Sequence, residues 1–179
     1  MRDKGKEDVF SVNEKELMEY YGYSGGYGRF KLRYKFAKSW ILHSLAYSTP
    51  FSNFAIKIQR SRGVTIGKNC HLSPYVLIDL LYPHLIKIGD NVTVGSNTLI
   101  FAHSNPTTNL FLKNNGYPRK VEPVNIKSGA ILFPSCIITA GITIGENSLV
   151  GVGSVVFEDV PDYCVVVGNP ARVVKKIDH

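Results

Sequence analysis

The chain has 179 residues, of which 44% are hydrophobic and 20% charged, with a formal net charge of +7; that is enough for one domain with a sizeable core, and no apolar run approaches the ~20 residues of a membrane-spanning helix. Three cysteines (Cys70, Cys136 and Cys164), far apart and odd in number, argue against a disulfide framework or a thiolate metal site. The charged start "MRDKGKEDVF" lacks the apolar segment of a secretory signal, so the expected compartment is the cytoplasm.

Residues 1–60 form an N-terminal segment expected to be helical. Ser11 with Glu14 makes a capping box leading into "VNEKELMEYY", a short helix. From Arg29 to Tyr47, Phe36, Trp40, His43 and Tyr47 recur at helical spacing behind a crowd of basic residues. Between Tyr20 and Arg62 there are eight Lys or Arg and no Asp or Glu. Such a run suits an anionic partner (a membrane surface, a phosphorylated ligand or a nucleic acid) or is a solvated basic face. No nucleic-acid motif accompanies it, and none is expected to bind. For 29–47 two readings stand: a helix lying at a membrane interface, and a helix packed on the rest of the protein or on a neighbouring subunit.

From Gly63 the sequence repeats every six residues, as in "VTIGKN", "IKIGDNVTVGSN" and "ITIGENSLVGVGSVV". Taking the aliphatic as first place gives Ile66, Leu72, Ile78, Ile88, Val94, Ile100, Ile126, Leu132, Ile138, Ile144, Val150 and Val156. Gly occupies the second place in five of these twelve, a regularity independent of how the register was chosen. Six residues make one short flat strand and a turn. Three such strands close a triangular coil of eighteen, and stacked coils satisfy each other's backbone groups. Small residues are needed where the chain turns a corner, and Gly or Asn tolerates an unusual φ there. Cys70 and Cys136 fall at the fifth place, with other small residues, and read as core packers.

Two breaks interrupt the period. "DLLYPHL" (79–85) puts the Ile78 and Ile88 hexads out of phase, and an excursion over 105–123 cannot be aligned to hexads at all. Long structureless excursions in compact domains are uncommon and often functional. His103 stands immediately before this one, where an apolar run ends.

The stretches "LID" (77–79), "IGDNVTVG" (88–95), "AHSNP" (102–106), "GITIGENSLVGVGSVVFEDVP" (141–161) and "GNPARVV" (168–174) resemble the sugar O-acetyltransferases of the hexapeptide-repeat family, over about residues 61–177. The resemblance implies an all-β solenoid, a left-handed parallel β-helix, for a domain spanning 61–179, with the N-terminal helical segment 1–60 before it. It implies that His103 is the general base, removing the proton of a substrate hydroxyl that attacks the thioester of acetyl-CoA, a task suited to a neutral imidazole. Asp79 is then an acceptor-binding or histidine-supporting carboxylate, although Asp is also favoured at such a turn for local reasons. Asn105 belongs with the substrate-binding residues. The C-terminal repeats would hold acetyl-CoA: Arg172 and Lys175 at its phosphates, Gly151 and Gly153 along its pantetheine arm, with Ile131 and Val152 also among the cofactor-binding residues.

The family pattern is departed from at Ile131, where relatives commonly carry Trp, and at Phe157-Glu158, where they carry Thr-Lys; an acid in place of that lysine weakens the phosphate contact. The metal-binding γ-type carbonic anhydrases of the same fold need a close H-x4-H pair, which is absent here, so no metal is expected. His71, in a turn of the first coil, His84, His43 and His179 rank below His103.

The expected protein is thus a cytoplasmic acetyl-CoA-dependent O-acetyltransferase acting on a sugar hydroxyl in surface polysaccharide biosynthesis, a homotrimer with sites between subunits, with room for a place at the inner face of the membrane. The rival readings are a sugar N-acetyltransferase using the same base and a non-catalytic β-helix scaffold.

Overall fold

The computed structural model describes residues 8–178; His179 and the charged start lie outside them. Three helices come first: α1 (Val9–Tyr20), α2 (Gly25–Ser48) and α3 (Ser52–Ser61). The expected capping box does not cap. Helix α1 begins at Val9 with Asp8 as N-cap and no side-chain cap bond, and the Ser11 hydroxyl donates to the Asp8 carboxylate. Glu14 instead pairs with Arg29 and Arg33 of α2.

The coils follow as short strands. The first holds β1 (Thr65–Ile66), β2 (His71–Leu72) and β3 (Leu77–Ile78), and the second β4 (Ile86–Ile88), β5 (Thr93–Val94) and β6 (Leu99–Ile100). After an excursion flanked by β7 (His103–Ser104) and β8 (Lys120–Val121) and containing α4 (Leu110–Asn114), the third coil holds β9 (Val124–Ile126), β10 (Ile131–Leu132) and β11 (Ile137–Ile138). The fourth holds β12 (Thr143–Ile144), β13 (Leu149–Val150) and β14 (Val155–Val156), and β15 (Cys164–Gly168) and β16 (Ala171–Lys176) close the chain. Each coil gives one strand to each of three parallel sheets, ordered β1-β4-β9-β12, β2-β5-β10-β13-β15 and β3-β6-β11-β14, with β16 added antiparallel at the edge of the second. His71 thus lies in β2, facing outward, and not in a turn.

All twelve first-place aliphatics end their strands and are buried. The register shows it directly: Ile66 pairs with Ile88, Ile88 with Ile126, and Ile126 with Ile144. Only the last step is an uninterrupted coil of eighteen; the other two absorb the insertion at 79–85 and the excursion. Truncating any one of the Ile or Leu side chains among them to Ala would cost about 2–5 kcal/mol. At the fifth place Cys136 is buried as expected, with its thiol pushed up to about 11, first by burial, so that it stays protonated. Cys70 departs from the expectation. It is only half-buried, its Sγ 3.0 Å from the Gly89 carbonyl.

The two demands on small residues fall at different places. A Cβ on second-place Gly145 would lie 2.4 Å from the Asp162 amide and Pro161 backbone of the next turn, so the glycine is dictated by close approach. The left-handed φ belongs to the fourth place, at Asn69, Tyr75, Asn91, Asn97, Gly129, Ser135, Gly141, Asn147 and Gly153. Asn and Gly enter that region at least cost. The fourth places outside this list are Leu81, His103 and Asp159, the points where the chain departs from the regular coil.

The chain divides into two compact units that do not follow the 60/61 boundary: one comprises residues up to Lys38 with Ser104–Lys120, and the other Ser39–His103 with Val121 onward. In the second, α3 covers the first coil with Ala55, Ile56, Ile58 and Gln59, and Arg60 bonds the carbonyls of Ile66 and Gly67. A solenoid end left open would expose strand edges and core, so the helix acts as a cap. The second half of α2 turns Ser39, His43 and Ala46 inward while Trp40 and Ile41 stay exposed, so the expected Phe36–Trp40–His43–Tyr47 stripe is not one face. In the first unit the excursion is folded onto α1. The Asn13 amide donates to the Thr107 carbonyl, and Lys113 and Arg119 converge on Glu16 at 2.7 and 2.9 Å. Burial pushes the Glu16 carboxyl up, but those two cations outweigh it and hold it below its ordinary value.

Candidate active site

Strand β3 ends at Ile78, and the chain then leaves the coil for the inserted turn, a short 3-10 helix over Pro83–Leu85. Asp79, at that exit, is buried. Its Oδ1 accepts from the amides of Leu81 (2.8 Å) and Tyr82 (2.9 Å), which is the local turn role expected of Asp. Its Oδ2 accepts from the Ala102 amide at 2.9 Å and faces His103 Nδ1 at 2.5 Å. The two readings of Asp79 are therefore not alternatives, because each is served by a different oxygen.

Above it, β6 ends at Ile100, and the parallel register continues to Phe101, whose amide donates to the Ile138 carbonyl. Where other coils bend through a left-handed residue, His103 is extended, and the chain returns at Glu122, which donates its amide to the Ala102 carbonyl. The imidazole sits where it does because the corner it would have made is missing. The Tyr82 ring, wholly buried, meets it edge-on with centroids 5.2 Å apart. The His103 side chain is 21% exposed.

Burial pushes the Asp79 carboxyl up. The bond and charge of His103 and the amides of Tyr82 and Ala102 outweigh it, and the pKa lies below the ordinary carboxylate value. A carboxylate at Nδ1 fixes that nitrogen as the N–H donor and leaves Nε2 with its lone pair. The arrangement is that of a general base oriented by a buried acid.

The residues assigned to acetyl-CoA share the six-stranded sheet. Ile131 lies in β10, Gly151–Gly153 follow β13, and Arg172 and Lys175 lie in β16. Val152 is 67% exposed, and a Cβ on Gly153 would meet nothing within 4 Å, so the backbone is uncovered there, whereas a Cβ on Gly151 would lie 2.8 Å from Val167 Cγ2. Arg172 lies 3.4 Å from Glu158, the acid that breaks the family pattern. Asn105 belongs to the other unit. Its amide donates to Asn13 Oδ1 and the Thr107 hydroxyl, and its own Oδ1 is buried without a hydrogen-bond partner among the described residues. Among the described residues no group of three His, Cys, Asp or Glu is placed to hold a metal.

Tyr82, Ser39, His43, Gln59 and Arg62 escaped the sequence-based expectation. Tyr82 hides in the insertion, and Arg62 counted among the basic residues facing an outside partner, although it is buried. Asp79 was signalled by its place after the third aliphatic of the first coil, and His103 by its place before the excursion.

A family model described as the hexapeptide repeat of succinyl-transferase matches residues 135–169. A Bacillus subtilis protein named as an acetyltransferase, YvoF, is 29% identical over 141 residues, covering 78% of this chain and 77% of that one. A Staphylococcus aureus protein also named as an acetyltransferase, SAR2635, is 33% identical over 137 residues, 76% of this chain; the chain spans 64% of its length, less than two thirds. Among solved structures, a maltose O-acetyltransferase from Clostridium difficile superposes with a TM-score of 0.65 at 29% identity, covering 83% of this chain and 89% of that one. A galactoside acetyltransferase solved in complex with coenzyme A superposes at 0.62 with 25% identity, covering 82% of each chain.

Proposed function

We propose that the chain is one of the hexapeptide-repeat acetyltransferases it resembles, and that it transfers the acetyl group of acetyl-CoA to a hydroxyl of a sugar, with His103 as general base, in the assembly of a surface polysaccharide. The observation that carries the reading is the bond between His103 Nδ1 and the buried Asp79 carboxylate, which leaves Nε2 as a base. The maltose and galactoside acetyltransferases that superpose on the chain support the acceptor class, and the left hand of the helix goes with the same kinship.

The thioester of acetyl-CoA supplies the acyl group. His103 Nε2 takes the proton of the acceptor hydroxyl as its oxygen bonds to the thioester carbon; the C–S bond breaks, and the imidazolium returns the proton to the leaving sulfur. Asp79 stabilises the transient imidazolium and keeps the tautomer fixed. No covalent acyl-enzyme is formed, in keeping with a buried Cys136 whose thiol stays protonated. The uncovered backbone at Val152–Gly153, with Gly151 and Ile131 on the same sheet, fits acetyl-CoA, and Arg172 and Lys175 fit its phosphates.

The same reading includes a homotrimer. It also places the protein in the cytoplasm at the inner membrane face: α2 exposes Phe30, Tyr34, Trp40, Ile41 and Leu45 among its lysines and arginines, and no helix among the described residues is long and apolar enough to cross the bilayer.

The test is release of free coenzyme A from acetyl-CoA with a panel of mono- and disaccharides, for the wild type and His103→Ala. Sugar-dependent release by the wild type alone, giving an alkali-labile ester, is the expected result. An alkali-stable amide on an amino sugar would replace it with N-acetylation. If acetyl-CoA neither binds nor reacts, the scaffold reading takes its place.

A further inference from the structure

The backbone that carries Asp79 is held by a second polar cluster that takes no part in the proposed reaction. Arg62, at the C-terminus of α3, is buried, and each of its five N–H groups has an acceptor. Nη2 donates to the Asp79 backbone carbonyl at 2.7 Å and to the Ser39 hydroxyl at 3.1 Å, and Nε donates to the same hydroxyl at 3.2 Å. Nη1 donates to Gln59 Oε1 at 2.5 Å and to His43 Nδ1 at 3.2 Å. The Ser39 hydroxyl donates to the Leu80 carbonyl at 2.9 Å, and both Nη atoms of Arg62 reach the Ile78 carbonyl at 3.4 Å, so the backbone is held on either side of the Asp79 side chain.

We propose that Arg62 is a positioning residue for the His103–Asp79 pair, with Ser39 as its accessory: the guanidinium fixes the backbone from which Asp79 reaches His103 and balances the carboxylate's charge. This rests on the reading of His103 as the base. Two features separate the role from simple packing. The fork geometry is needed, because one planar group reaches the Asp79 carbonyl, Ser39, Gln59 and His43 at once, which a lysine ammonium cannot. The charge is needed as well. With Arg62 cationic and Asp79 anionic the buried cluster is neutral while His103 is neutral, and removing the cation leaves an uncompensated carboxylate that draws a proton onto His103. Other titratable groups around the pair are Tyr82, edge-on to His103, His84, whose ring lies 6.4 Å from that of Tyr82, and His43, bonded to Arg62; Glu122 faces Gly141.

The experiment follows the His103 ring by NMR titration, assigned against His103→Ala, in the full chain as wild type, Arg62→Lys, Arg62→Gln and Ser39→Ala, with steady-state kinetics alongside. Arg62→Gln is expected to raise the His103 pKa by about one unit and to move the acid limb of the pH–rate profile to higher pH with it. Arg62→Lys is expected to keep the pKa near that of the wild type and lower kcat about tenfold, with the KM for acetyl-CoA unchanged. Ser39→Ala, the mildest change, serves if the arginine variants do not fold, and is expected to lower kcat without moving KM. Folded variants with wild-type pKa and kcat would overturn the proposal, and so would a Ser39→Ala with unchanged kcat should the arginine variants fail to fold. Because the titration needs no substrate, a wild type that transfers no acetyl group would refute the proposed reaction while the coupling of Arg62 to His103 could still be read.

Discussion

The Asp79 carboxylate, buried at the exit of one coil, holds the Nδ1 of His103 at the exit of the next with one oxygen and its own inserted turn with the other. The insertion at 79–85 begins with the carboxylate, and the imidazole it holds stands at the fourth place of its hexad, where neighbouring coils bend through a left-handed residue.

Removing either partner should therefore slow chemistry without loosening the donor. His103→Ala is expected to lower kcat by about 10²–10⁴, while acetyl-CoA still raises the thermal midpoint. Asp79→Asn should lower kcat comparably, because an amide can turn its NH₂ toward Nδ1 and favour the wrong tautomer. A loss of the acetyl-CoA-induced shift in His103→Ala would place the imidazole at the donor instead.

Burial, and then the charge of Arg62, depress His43 from 6.5 to about 4. The sign follows from which state binds the proton first. Below pH 6.5 the unfolded chain is protonated here while the folded chain is not, so stability is full above 6.5 and falls until about pH 4, by on the order of 3 kcal/mol. Asp79, whose pKa is also depressed, adds a further loss only below its unfolded value of 3.8. Chemical denaturation at a series of pH values should show the first step between 6.5 and 4, and His43→Gln should flatten it.

Glu158 lies 3.4 Å from Arg172, with both side chains largely exposed. The pair itself adds little stability, but its carboxylate competes with any phosphate for the guanidinium. Glu158→Gln is expected to tighten acetyl-CoA a few-fold by calorimetric titration, and Glu158→Lys more. Equal affinities in all three proteins would remove Arg172 from the phosphate site.

Gly145→Ala and Gly153→Ala should separate the two roles of small residues. The first forces a Cβ to 2.4 Å from the next turn's backbone and is expected to unfold the coil or cost several kcal/mol. The second meets no atom and only strains a φ of 68°, at roughly 1–2 kcal/mol. Comparable midpoints for the two would contradict the close approach.

The six-residue period by itself determined the strands, their facing and the buried aliphatics, because a solenoid repeats one local unit and pairs it only with the unit above and below. It also located His103 and Asp79, since departures from a regular period show against it. The helices of residues 1–60 were legible as helices but not in their partners. Arg62 and His43 carry the same letters on a solvated face as in a buried cluster, and Asn13, Glu16, Lys113 and Arg119 lie far apart in sequence. What only the tertiary structure decided was which polar groups are withdrawn from water. That depends on the insertion and the helices closing over the end of the coil, and burial is what makes an unpaired charge costly and a paired one directive.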